Sequence, residues 1–248
     1  MIRIYLGRLG SAKTVSTVRE LSKDRSGRTT YTNINVKGIR NIKKIKGTDI
    51  IKKTLVSVKK KRDGTTEEVF KIEFNIDFWL KQKKPLNIVW DEIHFVANSR
   101  ESQSKLNRVM GKFLSMGRRI TGFDKKGYGH FIFIAQTSRT IDVNIKDLCN
   151  EIRYHILHWI IICINCNRQL WINSEMKEIE FCQFCGSWDL ERTNFKVQIF
   201  RFHTWVDYLR WEEGWGKYYF EKYWITDIEE YFSFYDTHQI ENIFEDFS

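Results

Sequence analysis

The chain has 248 residues, 42% of them hydrophobic and 29% charged, which excludes a disordered polyelectrolyte and suits one large α/β body or a medium domain with a small module. A single proline and only 14 glycines exclude long flexible linkers. The formal charge of +10 is uneven: residues 201–248 carry −7 and residues 1–200 carry +17, a field that attracts polyanions such as nucleic acid as readily as it solubilises a surface.

In chain order, residues 2–6 read as a short apolar strand and 15–21 as the first helix, joined by a glycine-containing turn. The amino end lacks the apolar stretch of a secretory signal. The longest apolar region, 156–164, is interrupted by His158 and falls far short of a membrane span, so a soluble, cytoplasmic protein without a membrane span is expected. Residues 29–36 alternate like a strand, and 37–53 form an irregular or strand-like basic connection. Segments 54–61 and 67–75 flank Asp63-Gly64, a dipeptide suited to a type I′ hairpin turn because both central residues need positive φ.

Residues 86–90 are a compact apolar run, as expected of a strand buried on both faces. Leu106, Val109, Met110, Phe113 and Leu114 recur at helical spacing within 102–116. A second buried strand covers 130–135, a helix 142–148, a strand 152–164 and a return strand 195–202. The remainder, 203–248, mixes aromatic and acidic residues; an amphipathic helical tail packing its rings on the core or on a neighbouring subunit is expected. Strands alternating with helices predict an α/β fold around a mostly parallel sheet. The expected organisation is a core over 1–160 with a hairpin insertion near 54–75, a cysteine module over 161–192, and a return strand with the tail over 193–248.

Gly7-Arg8-Leu9-Gly10-Ser11-Ala12-Lys13-Thr14 follows a strand and opens a helix, close to the phosphate-loop pattern G-x-x-x-x-G-K-[ST] with Ala12 in place of the second glycine. Backbone N–H groups must wrap the phosphates, so small residues are needed for close approach. In such a loop Lys13 reaches the β- and γ-phosphates of ATP and the Thr14 hydroxyl ligates Mg²⁺. The strand at 86–90 ends in Asp91 and Glu92, placed to hold the Mg²⁺ water shell and to deprotonate an attacking water. The strand at 130–135 ends in Gln136, which can sense the γ-phosphate or position water. All three motifs sit at carboxyl ends of strands, where open α/β sheets bind ligands.

The order GRLGSAKT, NIVWDEIHF, a helix ending in Gly117-Arg118-Arg119, then FIFIAQTSRTID resembles the Zot-like branch of the FtsK–HerA ATPases over about residues 1–160. That resemblance implies a RecA-like P-loop core, ATP with Mg²⁺, and a homo-oligomeric ring, a hexamer among the candidate sizes, that moves DNA during virion packaging, assembly or conjugation-like transfer. A capsid or portal component is an implied partner. Two departures stand out: Ala12 replaces the loop glycine, and the transmembrane segment that follows the ATPase domain in filamentous-phage Zot proteins is missing, which favours a soluble packaging motor. Arg118 or Arg119 is the candidate arginine finger across a subunit boundary, with Arg139 a third candidate; a basic helix end serving the helix dipole is the alternative.

Cys163-x-x-Cys166 and Cys182-x-x-Cys185 are separated by fifteen residues, the spacing of a four-thiolate zinc ribbon. Two disulfides or an iron–sulfur centre are the alternatives, and nothing in the sequence signals the secreted setting that disulfides suit. With four protein ligands the zinc would be structural. Cys149 lies outside the spacing. Arg168, Lys177, Arg192 and Lys196 flank the module, which is expected to dock DNA or a partner. The sequence therefore predicts an ATP-hydrolysing DNA translocase of the viral genome-packaging kind. Its alternatives are a non-hydrolysing nucleotide-binding assembly protein, which Ala12 suggests, and a zinc-ribbon nucleic-acid adaptor.

Overall fold

A computed structural model describes residues 1–60, 64–93, 105–125, 127–141, 143–176 and 179–235. In chain order it runs β1 (Ile2–Leu6), α1 (Lys13–Lys23), β2 (Thr29–Thr32), β3 (Ile42–Lys44), α2 (Gly47–Ile50), β4 (Ile51–Lys60), β5 (Thr66–Phe74), α3 (Ile76–Leu80) and β6 (Leu86–Trp90). It continues through α4 (Lys105–Ser115), α5 (Gly117–Thr121), β7 (Phe123–Asp124), β8 (Gly127–Tyr128), β9 (Phe131–Ile134), α6 (Val143–Leu148) and β10 (Glu151–Cys163). The last elements are β11 (Gln169–Asn173), β12 (Leu190–Phe202), α7 (Trp205–Glu212), β13 (Glu221–Ile225) and a 3₁₀ turn over Glu229–Phe234.

The central sheet has the order β13-β12-β10-β1-β9-β6-β2-β3, with β11 added to β10. The six strands from β10 to β3 pair in parallel, as the alternation of strands and helices predicts. Strands β12, β13 and β11 join antiparallel. This is a mixed, mostly parallel sheet.

Alternation along β1 decides which layer each side chain serves. Ile2, Ile4 and Leu6 join the face covered by α3 to α7, where Trp79, Met110, Phe113, Ile120, Ile145 and Tyr208 pack. Tyr5 points to the other face, covered by α1 through Val18 and Leu21 and by the 3₁₀ turn. Burying each aliphatic or aromatic side chain of this kind contributes about 2 kcal/mol. Strands β6 and β9 are buried along their whole length, because helices cover both faces there.

One buried ion cluster ties three strands together. Glu151, at the start of β10, accepts from Arg153 Nε at 2.6 Å and from Arg201 Nε of β12 at 2.7 Å, and lies 3.4 Å from Arg3 Nε of β1. Arg153 also pairs with Glu20 of α1, which accepts from the Tyr5 hydroxyl. Burial alone would raise the pKa of Glu151, but its hydrogen bonds to Arg201 and Arg153 and the nearby Arg3 charge bring it down to about 2. The folded pKa is below the unfolded value, so the cluster stabilises fully above about pH 4.5 and loses that contribution as pH falls towards 2. Glu151→Gln is therefore expected to cost about 3 kcal/mol at pH 7, the scale for breaking a buried pair on one side. In chemical denaturation that deficit should shrink as pH is lowered from 4.5 towards 2; a deficit that stays constant with pH would contradict the ionic origin.

Several sequence expectations are corrected. The strand expected over 29–36 ends at Thr32, and Val36 forms an isolated bridge to Tyr235. The basic connection contains β3 and α2. The hairpin forms as β4 and β5, while residues 61–63 of its expected turn lie outside the described residues, as do 94–104. The cysteine module is carried by β10, β11 and β12, and residues 179–181 before its second cysteine pair are not in a strand. The tail is not a continuous helix. Thr204 and Asp207 cap α7 reciprocally, but Gly214 and Gly216 follow with positive φ, and the chain returns as β13 along β12. No described helix is long and apolar enough to cross a membrane.

Candidate functional site

The site lies at the carboxyl ends of the parallel strands. Gly7–Thr14 leaves β1 and turns into α1, an amphipathic helix whose Val15, Val18 and Leu21 face the core. Gly7 has φ +145°, and a Cβ there would lie 2.4 Å from the His155 carbonyl oxygen, so only glycine lets the loop pass β10 this closely. Ala12 has φ +65° and ψ +26°, the left-handed conformation that glycine adopts freely. Its methyl costs about 1 kcal/mol in that conformation.

Lys13 is folded into the loop. Its Nζ donates to the carbonyls of Gly7 at 2.6 Å and Arg8 at 2.9 Å, and to Ser11 Oγ at 3.3 Å. Burial lowers its pKa to about 8, against the opposing charges of Asp91, Glu92 and Glu175. The Thr14 hydroxyl donates to Asp91 Oδ2 at 2.6 Å, bringing together the two side chains expected to share a divalent cation. Burial raises the Asp91 pKa to about 6; the Thr14 hydrogen bond opposes that shift and the Glu92 charge adds to it. A buried carboxylate next to a hydroxyl suits a hard oxygen-ligated cation such as Mg²⁺, and a buried ammonium at the start of a helix suits phosphate.

Glu92 follows Asp91 with φ +52°, uncommon for a glutamate, and turns its carboxylate towards β9. There Oε1 accepts from Gln136 Nε2 at 2.9 Å. Backbone outliers of this sort concentrate at functional sites. The structure thus joins Lys13, Thr14, Asp91, Glu92 and Gln136 at one end of the sheet. Arg118 and Arg119 are not among them. They lie on α5 beside Met1, Ile2 and Phe131, at the amino ends of β1 and β9. Arg139 is exposed in the 3₁₀ turn Ser138–Thr140 that follows β9.

No sequence pattern singles out Asn33. It follows β2, donates from Nδ2 to the Asp91 carbonyl at 2.9 Å, and accepts from the Asp91 N–H at 2.8 Å. This reciprocal pair fixes the backbone that aims Asp91 and Glu92. Its position one residue past a strand, at the carboxyl edge, is the only sequence signal for it. Phe232 and Tyr235 of the tail also line the cavity over the loop, which no periodicity indicates.

Strands β10 and β12 run on beyond the end of β1 and carry the cysteine module above the phosphate loop. The sulfurs of Cys163, Cys166, Cys182 and Cys185 all lie within 4.8 Å of one another. Cys163 and Cys185 Sγ are 3.5 Å apart, and Cys166 and Cys182 Sγ 3.6 Å. A tetrahedron with metal–sulfur bonds of 2.3 Å has edges of about 3.8 Å, so the four thiols fit Zn²⁺, and all four are free of disulfides. Cys149 stands apart. Its thiol donates to the Glu151 carbonyl at 3.1 Å, and burial pushes its pKa up to about 12, which favours the neutral thiol.

The family model for zonular occludens toxin (Zot) matches residues 1–170, which takes in the phosphate loop, the Asp91-Glu92 strand and Gln136. The chain belongs to the Zot family. Among solved structures, the N-terminal domain of zonular occludens toxin from Neisseria meningitidis is 14% identical, with 95% of this chain and 98% of that one covered and a TM-score of 0.49. The genome packaging NTPase B204 from Sulfolobus turreted icosahedral virus 2, in complex with ATP-gammaS, is 9% identical, with 62% and 74% covered and a TM-score of 0.35. No curated protein matches. In this Zot-family chain the matched segment stops just after the first cysteine pair, so the second pair, β12 and the tail lie beyond it.

Proposed function

We propose that this chain hydrolyses ATP with Mg²⁺ to move double-stranded DNA, working in a homo-oligomeric ring of the viral genome-packaging kind. The observation that carries this reading is the pair of contacts Thr14–Asp91 and Gln136–Glu92, which assembles the residues needed for phosphoryl transfer to water. Loop N–H groups and Lys13 bind the β- and γ-phosphates. Thr14 and Asp91 hold Mg²⁺, which when bound neutralises charge on the phosphate oxygens. Glu92 accepts a proton from the attacking water, and Gln136 keeps its carboxylate aimed. Arg118 and Arg119 sit away from the phosphate loop of their own chain, so a finger role for them is one played towards a neighbouring subunit.

The left-handed backbone of Ala12 is the conformation that the pattern's glycine adopts, which supports a nucleotide-binding loop. The charge of +17 on residues 1–200, with exposed Lys52, Lys53, Lys59 and Lys60 along β4, supports DNA as the polyanion. The ribbon is read as a structural zinc site, and a capsid or portal component as the docking partner. Steady-state ATP turnover should rise when double-stranded DNA is added, and the rise should fade between about 50 and 200 mM salt. Turnover indifferent to DNA at every salt concentration would overturn translocation.

A further inference from the structure

A separate cavity, of about 530 Å³, lies at the far end of α1 from the phosphate loop, by the first residues of β2 and β3. Small-molecule sites span roughly 300–1,000 Å³, so a ligand of that class fits. Two turns shape it. Gly27, with φ +73°, leads the chain from α1 into β2. Asn41, with φ +62°, leads into β3, and its carbonyl accepts from the Thr30 N–H at 2.9 Å. Leu21, Ile39 and Ile42 give the lining an apolar part, and the stacked rings of Tyr231 and Phe234, with centroids 5.8 Å apart, close it from the tail.

Three arginines line this cavity against one carboxylate. That carboxylate, Asp24, is already engaged by the Ser26 N–H at 2.8 Å and the Ser26 hydroxyl at 2.9 Å. Arg25 and Arg40 are exposed, and among the described residues neither has an acidic partner. Arg28 is fixed in place, its side chain only 7% exposed. Its Nη1 donates to the Tyr128 carbonyl and its Nη2 to Asp124 and the Gly127 carbonyl, while Nε is buried without a partner. The carboxyl end of α1 opposes an anion with about half a charge. Its Leu21 carbonyl already accepts from the Asp24 N–H, and two unpaired guanidiniums outweigh what is left.

A guanidinium fork grips phosphate oxygens in pairs, and apolar walls beside it suit the organic group that carries the phosphate. We infer that this cavity is a second phosphate-ester site, in which Arg25 and Arg40 close on the phosphate beside the fixed Arg28. The ester is a nucleotide, either free or as a backbone unit of DNA. The site needs no hydrolysis at the phosphate loop, but it shares a wall with it. Tyr231 and Phe234 of the 3₁₀ turn face this cavity, whereas Phe232 and Tyr235 line the one over the loop.

Calorimetric titration of the full chain with AMP and with a short DNA duplex distinguishes the two sources. The double variant Arg25→Ala/Arg40→Ala removes exposed side chains and should keep its fold. It is expected to bind at least one of the probes about tenfold or more weakly. Loss with AMP identifies a free nucleotide, and loss with the duplex alone identifies the backbone; either supports the site. Arg25→Lys/Arg40→Lys keeps the charge without the fork, so its binding should stay well below wild type. Full recovery in the lysine variant would reduce the cavity to a general positive field and overturn the site. Wild-type protein that binds neither probe, or an alanine variant that binds both as tightly as wild type, would overturn it as well.

Discussion

Replacing Lys13 by alanine is expected to lower affinity for ATP-γS at least about 100-fold while the fold persists. The ammonium is seated on the Gly7 and Arg8 carbonyls and on Ser11, in the centre of the loop. Among the described residues no other lysine or arginine lines that cavity. Truncating one partner of a buried charge pair costs about 2–5 kcal/mol, or roughly 30- to several thousand-fold in affinity. The fold survives because α1 is anchored by Val15, Val18 and Leu21, not by Lys13. Arginine at this position should not restore binding, since a planar guanidinium cannot take the seat of a compact ammonium. Calorimetry reads the effect, and an unchanged dissociation constant would remove Lys13 from phosphate binding.

Loss of zinc should be as severe, but local. Metal analysis is expected to return about one zinc per chain, falling to about zero in Cys163→Ser and Cys182→Ser. The module has little else to hold it: Ile161, Leu170, Ile172 and the two buried cysteines make up its small core. A cluster that size cannot offset the entropy of ordering its loops, whereas structural zinc supplies about 10 kcal/mol or more. Hydrogen exchange should show amides over 163–190 losing protection on chelation, with β1, β6 and β9 unaffected. A metal-free chain with a protected ribbon would refute the zinc site. Because Glu175 holds Arg8, chelation should also loosen the phosphate loop.

Much of this was legible from sequence because the signals were local. The phosphate loop is eight consecutive residues after an apolar run, and the fully buried β6 and β9 read as strands by composition alone. The cysteine pairs carry their meaning in their spacing. What escaped depends on contacts distant in sequence. Asn33 meets Asp91 across 58 residues, and Arg8 meets Glu175 across 167. Neither pair leaves a local pattern. The tail misled for a different reason: its aromatics fit a helix until Gly214, after which residues 221–225 add to the sheet edge and Tyr235 bridges to Val36. Gly214-Trp215-Gly216 was the available stop signal. The arginines of α5 follow a helix as the family order implies, yet the fold sets them at the far end of the sheet from the phosphate loop.

The Glu92→Gln substitution tests hydrolysis most directly, because glutamine preserves shape and the contact with Gln136 but cannot accept a proton from water. Steady-state ATP turnover in Mg²⁺ should be measurable in the wild type and at least about 100-fold lower in Glu92→Gln, with ATP-γS affinity unchanged. Equal turnover in the two proteins, or none in the wild type with ATP-γS bound, would contradict an ATPase built on Lys13, Asp91, Glu92 and Gln136.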